Sequence, residues 1–205
     1  MDILVLAFDR AVRTLSGSAQ PRRPNPAANL PAANLSADDR RASISMMRVN
    51  HAGEVAAQAL YQGQGLTAGT HQIRSKLSDA ADEELDHLAW TRQRLTELGG
   101  SPSLLDPFWY AGAFAVGAVA GAISDKVSLS FLQATEEQVE AHLDTHLSRL
   151  PSDDTASRAI VEQMKQDEAN HAQTARALGA QTLPRSLQSL MRASAKVMTA
   201  IAAKI

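Results

Sequence analysis

The sequence predicts an all-α fold, an antiparallel helical bundle, from three observations. First, the 205-residue chain is 44% hydrophobic but only 4% aromatic, and its abundant alanine favours helices. Second, apolar residues recur at helical spacing over long segments, and no segment shows the sustained alternation of a strand. Third, Gly, Pro and Ser separate these segments by short intervals, as in connections between antiparallel neighbours. The length suits one domain with an appended element.

The N-terminal part of the chain predicts a short helix followed by an extended arm. Residues 16–35 contain four prolines and several small polar residues, which predicts a mobile arm. We therefore divide the chain into residues 1–35, the helix and arm, and residues 36–205, the bundle with its C-terminal helix. The helix is expected over residues 2–15, ending at Gly17, with apolar positions at Ile3, Leu4, Leu6, Phe8, Val12 and Leu15.

The bundle is predicted to contain four long helices followed by a fifth. Ser36 is a candidate N-cap with Asp39 three residues later, so the first helix is expected to begin there. The second should stop at Gly99-Gly100, and the third should break near Ser124. Residues 153–154, both Asp, are expected in the first turn of the fourth. The five expected spans are about 37–64, about 69–98, within about 107–149, from just after residues 151–152 to near 179, and from around 184 to the C-terminus.

Composition and charge exclude several classes of function. The formal net charge is −2, so no global basic field points to a nucleic-acid partner. The chain contains no cysteine, which leaves carboxylate and imidazole groups as candidate metal ligands. The longest uncharged run, Pro107–Ser124, is shorter than an ordinary membrane-spanning helix, and the N-terminus lacks the basic region of a signal peptide. We therefore expect a chain that does not span a membrane but can lie on one.

A Glu-x-x-His motif occurs twice, and a further glutamate precedes each copy by 30 and 32 residues. A helix places residues i and i+3 on one face, so each pair can bind one metal ion. A single copy is a weak signal, because charged pairs at this spacing are common on solvated faces. Two copies at matched spacing indicate two helix pairs that each supply half of a site. The two sets are Glu54 with Glu84-x-x-His87, and Glu136 with Glu168-x-x-His171.

The apolar stripes of the predicted helices indicate that these six residues face the core. Glu136 lies between Leu132 and Val139 on its stripe, whereas Glu137 and Glu140 align with polar residues and are expected in water. A buried carboxylate is costly unless it is paired, protonated or coordinated, so four of them need a common cation. The order Glu, Glu-x-x-His, Glu, Glu-x-x-His is the ligand set of ferritin-like di-iron or di-manganese proteins. The alternative is a buried polar network without metal.

Four further polar residues lie beside the candidate ligands. His51 is one turn before Glu54, where it would either support a ligand or be an ordinary buried histidine. Glu83 and Asp167 each precede a candidate glutamate and could accept a hydrogen bond from a candidate histidine on a neighbouring helix. For Glu83, simple solvation is the favoured interpretation. Tyr61 is expected in the core.

The third predicted helix opens with an apolar, glycine-rich segment, residues 106–124. Its residues Gly112, Gly117 and Gly121 leave space either for close helix packing or for a flat apolar ligand. The aromatic residues 108–110, Phe-Trp-Tyr, are expected to be exposed and would suit a membrane interface.

Several blocks of the sequence resemble the demethoxyubiquinol hydroxylase family of ubiquinone biosynthesis. The most specific block is "MRVNHAGEVAAQALYQGQ" at residues 47–64. The blocks "DEELDHLAW", "TEEQVEAHL" and "KQDEANHA" contain the other candidate ligands, and "VGAVAGAISDK" precedes the second of these. The resemblance extends from about Ser36 to Leu178 with the blocks in family order, and the arm contributes little to it.

This resemblance implies a ferritin-like di-iron monooxygenase with two iron ions per subunit. Its reaction would be hydroxylation by O2 of 3-demethoxyubiquinol (2-polyprenyl-3-methyl-6-methoxy-1,4-benzoquinol) at the unsubstituted ring carbon. A reduced pair of iron ions can supply two electrons to O2. By motif, Glu84 and Glu168 are the bridging carboxylates. The residues that take the catalytic and metal-ligand roles are Glu54, Glu84, His87, Glu136, Glu168 and His171.

The resemblance also implies a location and leaves some partners open. The polyprenyl tail of the substrate lies in the bilayer, so the protein is expected to be peripheral on the cytoplasmic side of the inner membrane. The electron donor is a separate reductase, the quinol itself or a weakly bound nicotinamide, since no GxGxxG fingerprint follows a strand. A homo-oligomer and an assembly with other ubiquinone-biosynthesis proteins are both compatible with the sequence.

Three other functions fit the same residues. An iron-oxidising ferritin-like protein without an organic substrate would assemble into cages and accumulate mineral. A helical bundle without metal would bind lipid or quinone. A manganese catalase would use similar ligands. The metal content of the purified protein and the mass of its oligomer distinguish these three functions from that of a hydroxylase.

Overall fold

The computed structural model of the protein describes residues 3–18 and 20–205, apart from the side chains of Ile3, Leu4 and Leu6. The expectations for Asp2 and for those three side chains therefore lie outside the described residues. All regular structure within these ranges is helical, as predicted. The helices are α1 (Ile3–Ser16), α2 (Ala37–Thr67), α3 (His71–Leu98), α4 (Asp106–Ile123), α5 (Asp125–Arg149), α6 (Thr155–Ala177) and α7 (Arg185–Ala202).

Helices α2, α3, α5 and α6 form the four-helix core of the protein. Helix α2 packs against α3, α5 packs against α6, and contacts between α3 and α6 and between α2 and α5 close the bundle. Residues 68–70 join α2 to α3 and residues 150–154 join α5 to α6, and connections this short make each pair antiparallel neighbours. Helices α1, α4 and α7 lie against the outer side of α2.

Two apolar layers fill the core and leave a middle section between them. Helix α2, for example, contributes Met47 to one layer and Tyr61 to the other, with Glu54 between them. Helices α3, α5 and α6 have the same arrangement. The first layer contains Met47, Trp90, Leu95, Leu143, Ile160 and Met164, and the second contains Tyr61, Leu77, Ala81, Leu129, Leu132 and Ala175.

Local capping signals account for most helix boundaries. The hydroxyl of Ser36 accepts a hydrogen bond from the backbone N–H of Asp39 (3.1 Å), as predicted. Gly99 has a φ of 77°, the left-handed conformation that ends α3 at its predicted position. The expectation for residues 153–154 is wrong. Asp154 is the N-cap of α6, and its side chain accepts from the backbone N–H of Ser157, so neither aspartate lies in the first turn.

The predicted break near Ser124 is confirmed. Ser124 is extended, with φ −176° and ψ 156°, and it ends α4 while its hydroxyl caps the N–H of Val127 at the start of α5 (3.1 Å). A serine followed by Asp125 is a strong helix-start signal, which outweighs the continuous apolar pattern before it.

Close helix packing is the role of two of the three glycines in α4. A Cβ atom on Gly117 would overlap the carbonyl oxygen of Leu60 in α2, and a Cβ on Gly121 would overlap the hydroxyl of Thr67. The backbones of α2 and α4 approach so closely that only glycine fits at these positions. Gly112, in contrast, has no neighbour within 4 Å of such an atom.

The arm is held against the bundle, which differs from the mobile segment that its composition predicts. The backbone N–H of Arg22 donates to Asp86 on α3 (2.5 Å), and the amide of Asn25 donates to Gln93 (3.0 Å). Leu35 is buried in the first apolar layer. Prolines make the segment extended, but these long-range polar contacts and the buried leucine fix its position.

Most of the exposed large apolar side chains lie on the outer helices. Phe108 is 72% exposed and Ile123 is 65% exposed on α4, whereas Trp109 is only partly exposed. The expectation that Tyr110 is exposed is wrong, because it is 8% exposed and its hydroxyl donates to Gln62. Within residues 3–18 and 20–205, no helix combines the length and the apolar character needed to cross a membrane.

Replacing Gly117 with alanine should destabilise the fold by about 1–3 kcal/mol, because the added methyl group overlaps the backbone of α2. Urea denaturation followed by circular dichroism measures the change. Gly112→Ala is the matched control in the same helix, and it should stabilise by about 0.5–1 kcal/mol through helix propensity alone. Equal shifts for the two variants would contradict the close packing of α2 and α4.

Candidate metal centre

The structure brings all six predicted residues together in the middle section of the bundle. Glutamates come from all four core helices, and α3 and α6 each add a histidine one turn later. Every one of these side chains is at most 8% exposed. Each sits between apolar residues of its own helix, so the helical period directs it inward. We call Glu54, Glu84, His87, Glu136, Glu168 and His171 the six-residue cluster.

The cluster has two halves that share two carboxylates. Ligand atoms of Glu54, Glu84, His87 and Glu168 lie within 4.8 Å of one another, and so do those of Glu84, Glu136, Glu168 and His171. Glutamates 84 and 168 therefore belong to both halves, which is the arrangement that bridging carboxylates require. That Glu84 and Glu168 bridge two metal ions stays a prediction, and this geometry is compatible with it.

The orientation of the carboxylate oxygens agrees with bridging. Glu84 directs Oε2 towards Nδ1 of His87 (3.1 Å) and Oε1 towards Nδ1 of His171 (3.3 Å). Glu168 does the same, with Oε1 3.5 Å from His87 Nδ1 and Oε2 3.4 Å from His171 Nδ1. Each histidine thus presents Nδ1 to the centre of the cluster, leaving Nε2 for a partner outside it.

Several buried ligand atoms lack a hydrogen-bond partner, as a metal site requires. One oxygen each of Glu54, Glu84 and Glu136, both oxygens of Glu168, and Nδ1 of His171 are in this state. Buried polar atoms are rarely left without a partner, because each costs about 1–3 kcal/mol. Four carboxylates and two imidazoles around shared oxygens suit two divalent cations, which would neutralise four negative charges. The donor set therefore fits a pair of metal ions.

A carboxylate outside the cluster approaches the outer nitrogen of each histidine. Nε2 of His87 lies 2.9 Å from Asp167 Oδ2, and Nε2 of His171 lies 3.4 Å from Glu83 Oε2. Each partner comes from the helix that carries the other Glu-x-x-His motif. Such a contact fixes the ring orientation and the tautomer, leaving Nδ1 free to bind a metal ion. The hydrogen bond suggested for Asp167 is thus present. Glu83, for which simple solvation is the favoured expectation, is 45% exposed and also contacts His171.

Tyr61 and His51, the other residues singled out near the cluster, have different positions. Tyr61 is buried as predicted, and its hydroxyl also donates to Oε1 of Glu136 (2.9 Å), which orients that carboxylate. His51 is buried and lies 3.3 Å from Asp106 at the start of α4. This contact joins α2 and α4 and does not involve a residue of the six-residue cluster.

Electrostatic interactions among the side chains of the cluster shift several pKa values in opposite directions. Burial and the neighbouring carboxylates hold the pKa of Glu54 and of Glu136 well above the ordinary value. Burial opposes ionisation of Glu84, but hydrogen bonds and the adjacent histidines hold its pKa well below the ordinary value. Burial also opposes protonation of His87, yet the surrounding carboxylates raise its pKa. Protons therefore balance the negative charge when metal is absent, and metal binding must release them.

Arg23 is the residue near the cluster that sequence reasoning missed. Its guanidinium donates through Nε to Asp86 (2.7 Å) and lies 2.9 Å through Nη2 from Asp167. Burial opposes ionisation of Asp167, but His87 and Arg23 outweigh that effect and lower its pKa to about 2. The contact joins residues more than 140 positions apart in the chain. No local pattern marks such a contact, and the double arginine of the arm was the one available signal.

Together, the helical architecture and the converging side chains define a ferritin-like bundle whose interior is suited to a pair of metal ions. Comparison with known proteins specifies the family. The model of the family "Ubiquinone biosynthesis protein COQ7" matches residues 41–202, and the chain belongs to that family. The resemblance seen in the sequence blocks is thereby confirmed.

Individual relatives are similar along their whole length. The 3-demethoxyubiquinol 3-hydroxylase of Aromatoleum aromaticum is 52% identical over 205 residues, covering 100% of both chains. That of Dechloromonas aromatica is 55% identical over 201 residues, covering 98% of this chain and 97% of the relative. Among solved structures, a dodecameric thioferritin, the bacterioferritin-related protein from Bacteroides fragilis, matches with a TM-score of 0.56 at 18% identity. It covers 67% of this chain and 84% of its own, and this likeness supports the ferritin-like fold alone.

Glu136→Gln should stabilise the metal-free protein, and more so at pH 8 than at pH 5. The raised pKa means that the folded state binds a proton at Glu136 more readily than the unfolded state does. That contribution is complete below the unfolded pKa and is lost as pH rises towards the folded value, whereas glutamine does not titrate. We expect a gain of about 1–3 kcal/mol at pH 8, or ~2–4 °C in melting temperature for each kcal/mol.

Thermal melting by circular dichroism, with and without Mn²⁺, measures this effect. Metal should stabilise the wild type more than the variant, which lacks one ligand charge. The control is Glu137→Gln at the exposed neighbouring position, where the melting temperature should hardly change. The same pH-dependent rise in melting temperature in both variants would show that ionisation of the buried Glu136 does not destabilise the folded protein.

Proposed function

We propose that this protein is a 3-demethoxyubiquinol 3-hydroxylase that uses O2 and a di-iron centre in ubiquinone biosynthesis. Membership of the COQ7 family and the full-length similarity to proteins with this activity support the reaction. The observation that carries the proposal is the six-residue cluster, because a redox-active metal pair in a buried site is what O2-dependent ring hydroxylation needs. The substrate would be the polyprenylated benzoquinol.

Iron is the proposed occupant of both halves of the cluster. One ion would be held by Glu54, Glu84, His87 and Glu168, and the other by the same two bridging glutamates with Glu136 and His171. Carboxylate and imidazole ligands without thiolate suit iron or manganese, and the family's hydroxylation favours iron. When bound, the iron pair supplies the redox chemistry that activates O2.

The protein's own side chains determine the surroundings of that chemistry. Asp167 and Glu83 keep the histidine rings oriented, so that Nδ1 of each points to the centre. Tyr61 holds Glu136 through its hydroxyl. The two apolar layers exclude water from both ends of the cluster, which strengthens the electrostatic interactions within it.

Expression in a bacterial strain that accumulates 3-demethoxyubiquinol tests the proposal. The wild-type chain should restore ubiquinone, whereas Glu136→Ala should not, because it removes a ligand from one half of the cluster. Glu137→Ala, at the exposed neighbouring position, should restore ubiquinone as well as the wild type does. Quinones extracted from the cells and separated by liquid chromatography provide the measurement.

Metal analysis separates the hydroxylase from the alternatives. The purified wild type should contain about two irons per chain, one for each half of the cluster. Many more irons per chain in a large assembly would indicate an iron store. A well-folded, iron-free protein that fails to restore ubiquinone would refute the proposal.

We also propose that the protein is peripheral on the cytoplasmic face of the inner membrane. The support is the surface formed by α1, α4 and α7, which all pack on the outer side of α2. Helix α4 exposes Phe108, Val119 and Ile123 to solvent. Helix α7 exposes Leu190 and Val197, and residues 185–205 contain four Lys or Arg residues and no acidic residue. Exposed apolar groups beside basic ones suit an anionic lipid surface.

The double variant Phe108→Ser with Ile123→Ser should weaken membrane binding roughly 10-fold or more, because each large apolar side chain contributes about 1.5–3 kcal/mol on burial. Flotation with vesicles that contain anionic lipid measures the bound fraction. Leu30→Ser changes an exposed leucine on the arm and should bind as the wild type does. If the double variant floats with the vesicles as well as the wild type does, α4 is not part of the membrane-binding surface.

A further inference from the structure

The two histidines of the six-residue cluster are supported very differently. Asp167, which contacts His87, is itself held at both oxygens, since Oδ1 accepts from Gln163 (3.0 Å) and Oδ2 lies 2.9 Å from a guanidinium nitrogen of Arg23. Glu83, which contacts His171, is 45% exposed and reaches that ring at 3.4 Å. The partner of His87 is therefore held in a fixed position, whereas the partner of His171 is partly exposed and makes a longer contact.

The contacts that hold Asp167 beside His87 include one from Arg23 in the arm. The guanidinium of Arg23 binds Asp86 and Asp167, which belong to α3 and α6, and thus links the helices that carry the two Glu-x-x-His motifs. The backbone N–H groups of Arg22 and Arg23 both donate to Asp86, which is 2% exposed. The guanidinium carbon also lies 5.0 Å from the ring centroid of Trp90, in cation–π range.

This geometry gives Arg23 a specific effect on one half of the cluster. The guanidinium Nη2 of Arg23 lies 3.5 Å from His87 Nε2. The side chains of Arg23, Asp167 and His87 are therefore in mutual contact. The planar guanidinium contacts the two aspartates through different nitrogen atoms in a fixed geometry, whereas an ammonium group would have to contact both through one freely rotating nitrogen. The support of Glu136 by Tyr61 acts on a carboxylate of the other half and does not orient a histidine.

We propose that the two metal positions are inequivalent, and that the arm, through Arg23, makes the position of Glu54, Glu84, His87 and Glu168 the slower to exchange its metal. Arg23 is a positioning residue in this scheme, since it acts through Asp167 and does not touch the metal-facing nitrogen. The inference rests on the proposed two-metal centre and adds a difference between its halves.

Metal release from the full-length protein tests the inference. The protein is loaded anaerobically with Fe²⁺ and mixed with a ferrous chelator, and the absorbance of the complex is followed. The wild type should release iron in two phases of equal amplitude. Arg23→Gln should accelerate the slow phase roughly 10- to 100-fold, the range typical for loss of a group that orients a metal ligand, and leave the fast phase unchanged. Arg23→Lys should fall between the two.

The arm and the opposite histidine provide matched controls. Arg22 pairs with Asp82 at the surface, so Arg22→Gln should leave both phases unchanged. Glu83→Gln should alter the fast phase alone, which assigns that phase to the His171 half. Circular dichroism of the metal-free variants shows that they fold, and Arg23→Lys serves as the test if Arg23→Gln does not.

The possible results separate the inference from the proposed function. A single phase in the wild type, equal acceleration of both phases by Arg23→Gln, or the same change in Arg22→Gln would each overturn the inequivalence and leave the two-metal centre intact. Failure of the folded wild type to bind Fe²⁺ would overturn the centre and the inference together.

Discussion

The burial of four carboxylates in one section of the bundle is the constraint on which the rest of the structure depends. Groups that repel one another in a low-dielectric interior require positive charge or protons nearby. The opposed pKa shifts of Glu54 and Glu84 show this competition within the metal-free cluster. Two divalent cations would resolve it more completely than protons do, because they would neutralise the charge and also bind the unpartnered oxygens.

The surrounding bundle keeps those groups in place by simple means. Each core helix places apolar residues one or two turns before and after its glutamate, so burial of the two layers forces the polar section between them. Contacts beyond the cluster then direct individual atoms, as Tyr61 does for Glu136 and Asp167 does for His87.

The outer helices pack on the core with one face and expose apolar residues to solvent on the other. Helix α4 approaches α2 so closely that Gly117 faces its backbone, which leaves the opposite face of α4, with Phe108 and Ile123, in solvent. Helix α7 joins the same side of α2 through Ala202. The six-residue cluster within the core and the exposed apolar face of α4 can therefore be altered separately by substitution.

The sequence by itself determined the helices, their main breaks and all six residues of the cluster. These features are local, because the 3.6-residue period selects the inward positions and residues such as Ser36, Gly99 and Ser124 mark boundaries within a few positions. The apolar stripe of the helix was decisive for Glu136, since its neighbour Glu137 lies on the exposed side of the same helix.

Only the tertiary structure decided how distant segments meet. The place of Arg23 beside Asp167, the burial of Tyr110 against Gln62 and the packing role of Gly117 each depend on two elements whose approach no local pattern specifies. Proline content correctly indicates an extended arm, but whether it lies free or bound depends on partners over 60 residues away in α3. Contacts of this kind form because they lower the free energy of the whole folded bundle. A short segment of sequence does not show which distant residues will lie beside it.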